Sequence, residues 1–324
     1  MTVLFIEFVK AELLSSTRAD YNLLKYFVEQ CESKVSGYTC FDQKGQFRAK
    51  NCKYCGLSNF DISLVSAGCK IISHRGGADI APENTLAAID KSLASGAYAC
   101  EIDVRCTSDG HVILMHDETA DRTTNGSGPV AEMTLSEVQS LDAGIWKGGE
   151  YAGQRVPSLA EVFSLMKDKG QKLLVELKDP GAGKTVAVLA EEYSMSDQVI
   201  ILSEDIDVLR KLNSVNPRMQ RAFLCTYFPR YLHSTAAKVD WLCRQADAAG
   251  LTLVDLDYRL VSPELILSLH REFLKVWVWT VNSVSIMKCL LDWGADGITT
   301  DRPDIVSKSG GDKTVVSSSI LSSD

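Results

Sequence analysis

The residues best able to do chemistry stand at the ends of four short apolar runs. The first run, 69–73, passes straight into His74-Arg75-Gly76-Gly77, where glycine lets the backbone approach a ligand closely. The second, 99–104, carries Glu101 and Asp103 two positions apart, on one face of a strand because side chains alternate. The third, 112–115, ends in His116-Asp117; the fourth, 173–177, sets Glu176 and Lys178 two apart. If Glu101 and Asp103 turn into a closed barrel, burying two unpaired carboxylates is very costly. A hard divalent cation with oxygen ligands resolves that conflict. A lone histidine at a strand end is usually a surface or hydrogen-bonded residue. Three carboxylates, two histidines and two cations at four strand ends are hard to explain as structure alone.

A regular alternation of elements positions those ends. Apolar, β-branched runs predict strands over 69–73, 99–105, 112–116, 172–177, 199–202, 221–225, 251–256, 276–281 and 297–300. Helices are predicted over 84–95, 158–169, 185–193, 205–213, 234–249, 263–273 and 283–293. Such alternation favours a parallel α/β barrel or a doubly wound sheet. Nine strands are one too many for an eight-stranded barrel. The second and third are joined by a short link around Ser108-Asp109-Gly110, which predicts a hairpin because a parallel crossover needs a dozen residues or more. One strand is therefore accessory or antiparallel. Asn84 reads as the cap of the helix that follows, and Glu83 as a partner for Arg75. Trp277 and Trp279 read as one ring on each face of their strand, with one toward the site.

These residues fall within a longer series of motifs. It comprises His74-Arg75-Gly76-Gly77, Ala81-Pro82-Glu83-Asn84-Thr85, Glu101-Ile102-Asp103-Val104, Thr107-Ser108-Asp109-Gly110 and His116-Asp117. It continues with Asp121-Arg122-Thr123-Thr124-Asn125-Gly126-Ser127-Gly128, Val156-Pro157-Ser158-Leu159 and Glu176-Leu177-Lys178. Trp279-Thr280-Val281-Asn282 and 294–303 (GADGITTDRP) close it. In order and spacing, residues 71–306 resemble the glycerophosphodiester phosphodiesterase family of the phospholipase-C-like phosphodiesterase superfamily.

The resemblance implies a TIM (β/α)8 barrel with a small insertion after the third strand, at about 117–157, rimming the site. It implies a divalent cation, Mg²⁺ or Ca²⁺, held by Glu101, Asp103 and Glu176. His74 and His116 would be the acid/base pair, Arg75 and Lys178 would hold the phosphate, and Trp279 would form an apolar wall. The implied reaction is hydrolysis of a small glycerophosphodiester to sn-glycerol 3-phosphate and an alcohol. His74 is taken as base toward the glycerol 2-hydroxyl and His116 as acid toward the leaving group, although the motifs do not settle that assignment. Asp117 is expected to orient His116 or to lie at the surface. His111, His233 and His270 are expected to be structural or surface residues. Ser203-Glu204 and Leu256-Asp257 depart from the family's usual pairs and bear on the leaving group. A rival reading is a lysophospholipase D or sphingomyelinase D-like enzyme in peripheral contact with a membrane, which predicts an exposed apolar or basic lip. A second rival, a barrel retained only for binding, predicts loss of a ligand or a histidine, and every expected position is filled.

The whole chain sets the context. Its 324 residues, 45% hydrophobic and 23% charged, are those of a globular protein. With 34 Lys+Arg against 42 Asp+Glu, its net charge of −8 argues against a nucleic-acid partner, whose affinity comes from neutralised phosphates. The barrel is expected over 69–306, preceded by an extension, 1–68, of unknown role and followed by a flexible Ser-rich tail, 307–324. Segment 1–14 is apolar but interrupted by Glu7, Lys10 and Glu12, so neither a secretory signal nor a transmembrane segment is expected. Ten cysteines in this length are too sparse for a disulfide scaffold and favour a cytoplasmic, reducing location. Cys52 and Cys55 have ligand spacing but no matching second pair, so buried or incidental thiols are the simpler reading.

Overall fold

The computed structural model describes residues 69–306. The extension 1–68, with Cys52 and Cys55, and the tail 307–324 lie outside the described residues.

The strands are β1 (Lys70–Ser73), β2 (Ala99–Cys106), β3 (Val112–Leu114), β4 (Lys172–Leu177), β5 (Val199–Ser203), β6 (Gln220–Cys225), β7 (Leu253–Asp257), β8 (Lys275–Trp279) and β9 (Gly297–Thr300). β1 pairs in parallel with both β2 and β9, so eight parallel strands close a ring. β3 is the accessory strand. It pairs antiparallel with β2, Val104 opposite Leu114, because the Asp-Gly turn between them is too short for anything else. The helices are α1 (Leu86–Ser95), α2 (Leu135–Gln139), α3 (Leu159–Met166), α4 (Ala182–Glu192), α5 (Ile206–Val215), α6 (Thr235–Ala249), α7 (Pro263–Arg271) and α8 (Val284–Asp292). Among the described residues no helix is long and apolar enough to cross a membrane.

Strand alternation divides the core into two layers. Ile102, Val175, Ile201, Val254, Val278 and Ile298 face the helices. Ile72, Leu174, Ile200, Leu202, Leu224 and Trp277 fill the lumen. A Cβ on Gly297 would sit 2.5 Å from the Trp277 ring, so that glycine makes room for the indole. Trp279 packs on the same lumen cluster, which corrects the expectation of one ring per face. Positions two apart on a strand share a face.

The 117–157 segment packs a small separate layer, Val130, Val138 and Val156, against Ile113 of β3 and Met115 just after it. It is tied to the turn after β1 by Tyr151, whose hydroxyl donates to Ile80 O at 2.9 Å, and by Lys147 Nζ, 2.6 Å from Ala78 O.

Candidate active site

The C-terminal ends of β1, β2 and β4 bring the acidic residues together. Glu101, Asp103 and Glu176 each offer a carboxylate oxygen, and those oxygens lie within 4.8 Å of one another. Asp103 and Glu176 are register partners across β2 and β4, and Glu101 sits two residues earlier on the same face. The turn after β1 is shaped to serve them. Arg75 (φ 50), Gly76 (φ 84) and Gly77 (φ 104) are all left-handed, and a Cβ on Gly76 would meet that of Ala88 at 2.7 Å. The result aims the Arg75 N–H at Glu101 Oε2, 2.7 Å away. Asn84 donates from Nδ2 to Asp103 Oδ2 at 2.8 Å and accepts from Asp103 N at 3.0 Å. Thr85, not Asn84, caps α1 by accepting from Ala88 N. Asn84 is instead buried and left-handed (φ 57), placed to hold an acid.

Glu101 Oε1 is buried with no hydrogen-bond donor, and Asp103 Oδ1 is buried with only the Lys178 ammonium, 3.3 Å away, beside it. Burial, then repulsion from Asp103 and Glu176, pushes Glu101 well above the usual carboxylate range. Burial and Asp103 push Glu176 up to about 7 against the pull of Lys178. Asp103 stays low, because Arg75, Lys178 and His116 together outweigh its burial. Three carboxylates this close do not all ionise unaided. Oxygen-only donors, with Glu101 Oε1 orphaned, fit a hard divalent cation.

Both sequence-picked cations are beside this cluster. Lys178 Nζ contacts Glu176 Oε1 and lies 3.3 Å from Asp103 Oδ1. Arg75 reaches Glu83 Oε1 at 2.7 Å, as expected, and its Nε lies 3.3 Å from Asp103 Oδ2.

Each histidine is anchored at Nδ1. His74 Nδ1 lies 2.6 Å from Asp301 Oδ1, and Asn282 donates to Asp301 Oδ2 at 2.6 Å. His116 Nδ1 lies 2.7 Å from Asp117 Oδ1. Burial opposes ionisation of Asp301, but His74 and Asn282 outweigh it and hold it low. Asp117 is held low chiefly by the hydrogen bonds from Arg122. Ionised acceptors put the hydrogen on Nδ1 and leave Nε2 for proton exchange. Burial, with Arg75 and Lys178 nearby, pulls His116 below the ordinary imidazole value despite Asp103 and Asp117.

Trp279 is half-buried, and its Nε1–H is buried without a partner, so the indole carries a donor as well as an apolar face. Asp257 is engaged by Arg259, and Glu204 receives Thr226 Oγ1 at 3.4 Å. His111 and His233 are exposed, and His270 pairs with Asp296 at 2.8 Å. Asp301 and Arg122 are not singled out by residue type, and Asn84 is picked out only as a helix cap. Each lies in a quoted motif, and that was the available signal.

The pattern of the "Glycerophosphoryl diester phosphodiesterase family" matches residues 74–305. A glycerophosphodiester phosphodiesterase of Caldanaerobacter subterraneus is 35% identical over 240 residues, which is 72% of this chain and 94% of that protein. A glycerophosphodiester phosphodiesterase structure from Agrobacterium tumefaciens superposes with a TM-score of 0.62 at 30% identity, covering 73% of this chain and 97% of that one. A phosphodiesterase from Oleispira antarctica, in complex with the product sn-glycerol-3-phosphate, gives a TM-score of 0.67 at 26% identity, covering 74% and 96%.

Proposed function

The chain belongs to the glycerophosphoryl diester phosphodiesterase family of hydrolases, and from that premise we propose that it cleaves small glycerophosphodiesters to sn-glycerol 3-phosphate and an alcohol by metal-assisted His/His catalysis. The observation that carries this reading is a buried acidic triad with an orphaned Glu101 oxygen, flanked by two histidines that are each anchored at Nδ1. A divalent cation, Mg²⁺ or Ca²⁺, held by Glu101, Asp103 and Glu176 would neutralise charge on the phosphoryl oxygens and acidify a coordinated hydroxyl.

Arg75 and Lys178 supply fixed positive charge beside the same oxygens, worth ~3–4 kcal/mol per well-placed donor in the transition state. His74 Nε2 takes the proton of the glycerol 2-hydroxyl, whose oxygen attacks phosphorus. The bond from phosphorus to the leaving oxygen breaks, and His116 Nε2 protonates that oxygen. Water, deprotonated by His116, then opens the cyclic phosphate while His74 returns its proton to the 2-oxygen. Trp279 Nε1–H meets a substrate oxygen at the pocket wall. A reducing cytoplasmic setting suits the free cysteines Cys69, Cys100, Cys106, Cys225, Cys243 and Cys289.

The test is release of sn-glycerol 3-phosphate from glycerophosphocholine and glycerophosphoinositol, with and without EDTA. Wild type requires the metal, and His74→Ala, His116→Ala and Glu176→Gln each lose activity. Full rates in all three variants would refute the mechanism.

One observation favours a second substrate class. Tyr227 and Tyr231 are 71% and 69% exposed on the segment that follows β6, at the same barrel end as the site, with exposed Arg230 between them. Such a lip suits the acyl chain of a lysophospholipid at a membrane surface. Co-sedimentation with phosphatidylcholine liposomes separates the readings: retention that is lost in Tyr227→Ser/Tyr231→Ser supports the lip, and protein left in the supernatant rejects it.

A further inference from the structure

Arg122, in the segment after β3, makes two forks with one guanidinium. Its Nε lies 2.6 Å from Asp117 Oδ2, and Nη2 lies 3.0 Å from Asp117 Oδ1. On the other side, Nη1 lies 2.8 Å from Glu83 Oε2, and Nη2 lies 2.8 Å from Glu83 Oε1. Each carboxylate also holds a group the reaction uses. Asp117 Oδ1 is 2.7 Å from His116 Nδ1, and Glu83 Oε1 is 2.7 Å from Arg75 Nη1. One unbroken chain of charge-assisted bonds thus runs from His116 through Asp117, Arg122 and Glu83 to Arg75.

We propose that Arg122 is a positioning residue that sets two reacting groups together, the ring of His116 through Asp117 and the guanidinium of Arg75 through Glu83. This rests on the functional reading above. The geometry says more than that Arg122 pins a loop. A planar fork fixes the orientation of both carboxylates, which a point charge such as lysine cannot do. With Asp117 so fixed, Nδ1–H of His116 has one acceptor in one place and Nε2 is aimed. With Glu83 so fixed, Arg75 keeps its place beside Asp103, 3.3 Å from Oδ2. His74 is the internal control, because its carboxylate, Asp301, is held by the neutral amide of Asn282 and not by the Arg122 guanidinium.

Removing a partner that orients a reacting group usually lowers activity about 10–100-fold. Asp117→Asn is therefore expected to lower kcat with KM nearly unchanged, and Glu83→Gln to raise KM with a smaller effect on kcat. Arg122→Met is expected to do both, and Arg122→Lys to recover only part. The Arg122→Met/Asp117→Asn double variant should be within about twofold of the poorer single variant, because both break one chain. Nitrogen-15 spectra of histidine-labelled, Mg²⁺-loaded protein give a readout independent of turnover. His116 is expected as the Nδ1–H tautomer in wild type and as a tautomer mixture in Arg122→Met, with His74 unmoved. If wild type hydrolyses no glycerophosphodiester, the functional reading fails while the spectra still decide the positioning role. Unchanged His116 signals in Arg122→Met, or kcat and KM both within twofold of wild type, would overturn the proposal. Should Arg122→Met not fold, Arg122→Lys carries the same comparison, since it keeps the charge and removes the fork.

Discussion

The two histidines look alike at Nδ1 and differ in everything behind it. His74 follows β1, and its partner Asp301 follows β9, a register neighbour, so two barrel strands hold that dyad with Asn282. His116 leaves the accessory strand β3, and its dyad depends on Arg122 and Glu83 across the inserted segment. The first is set by backbone pairing and neutral amide bonds, the second by ion pairs around a guanidinium that is 44% exposed. A barrel end can therefore be held chiefly by strand pairing on one side and by side-chain ion pairs on the other.

The largest test of that contrast is loss of either ring. His74→Ala and His116→Ala are each expected to lower kcat/KM ~10²–10⁴-fold in the sn-glycerol 3-phosphate assay. A large loss in only one variant would break the symmetry assumed for proton transfer. Next come the partners. Asp301→Asn and Asp117→Asn are each expected to lower kcat about 10–100-fold. The two should separate in salt. Screening weakens the Arg122 ion pairs, so kcat of Asp301→Asn at saturating substrate falls as NaCl is raised, while that of Asp117→Asn stays flat.

The carboxylates sharpen the comparison through pH. Asp301 is held low, so its contribution to stability is present above the ordinary aspartate range and is lost as acid titrates the folded state. Glu176 goes the other way: its folded value in the metal-free site is near 7, above the unfolded one, so stability falls as pH rises from about 5 to about 7. Chelation is thus expected to lower Tm more at pH 8 than at pH 5.5, and Glu176→Gln to reduce that difference, as followed by thermal melts. The smallest effect expected is at Trp279. Trp279→Phe removes one N–H from the wall and should raise KM only a few-fold, since a single neutral hydrogen bond is worth ~0.5–1.5 kcal/mol.

Much of this molecule is legible in its residues. Strand runs at 172–177 and 297–300 coincide with β4 and β9 to the residue, because short apolar runs between helical segments leave little choice of boundary. The Asp-Gly link forces a hairpin in any fold, yet only ring closure through β1 shows that β3 is the strand left out. Glu101 and Asp103 could be paired from their spacing alone, because i and i+2 share a face, whereas Glu176 joins them through the family resemblance and through its register opposite Asp103 across β2 and β4. Asn84 misled: it has the type of a helix cap, but its left-handed backbone turns it into the barrel toward Asp103. The tryptophans misled for another reason, a misapplied strand period that the lumen packing makes plain.

Local patterns thus determined most of the elements and the cluster of polar side chains at strand ends, while the closed barrel and the roles of those side chains were implied by the family resemblance. Such patterns reflect forces that act between near neighbours, namely alternation, capping and turn chemistry. Only the tertiary structure decided that Asp301 stands behind His74, and that Arg122 and Glu83 stand behind Asp117. His74 meets Asp301 across 227 positions, and Glu83 meets Arg122 across 39. Such bonds exist only once the strands have closed the ring and the inserted segment has packed on it, so no spacing along the chain encodes them.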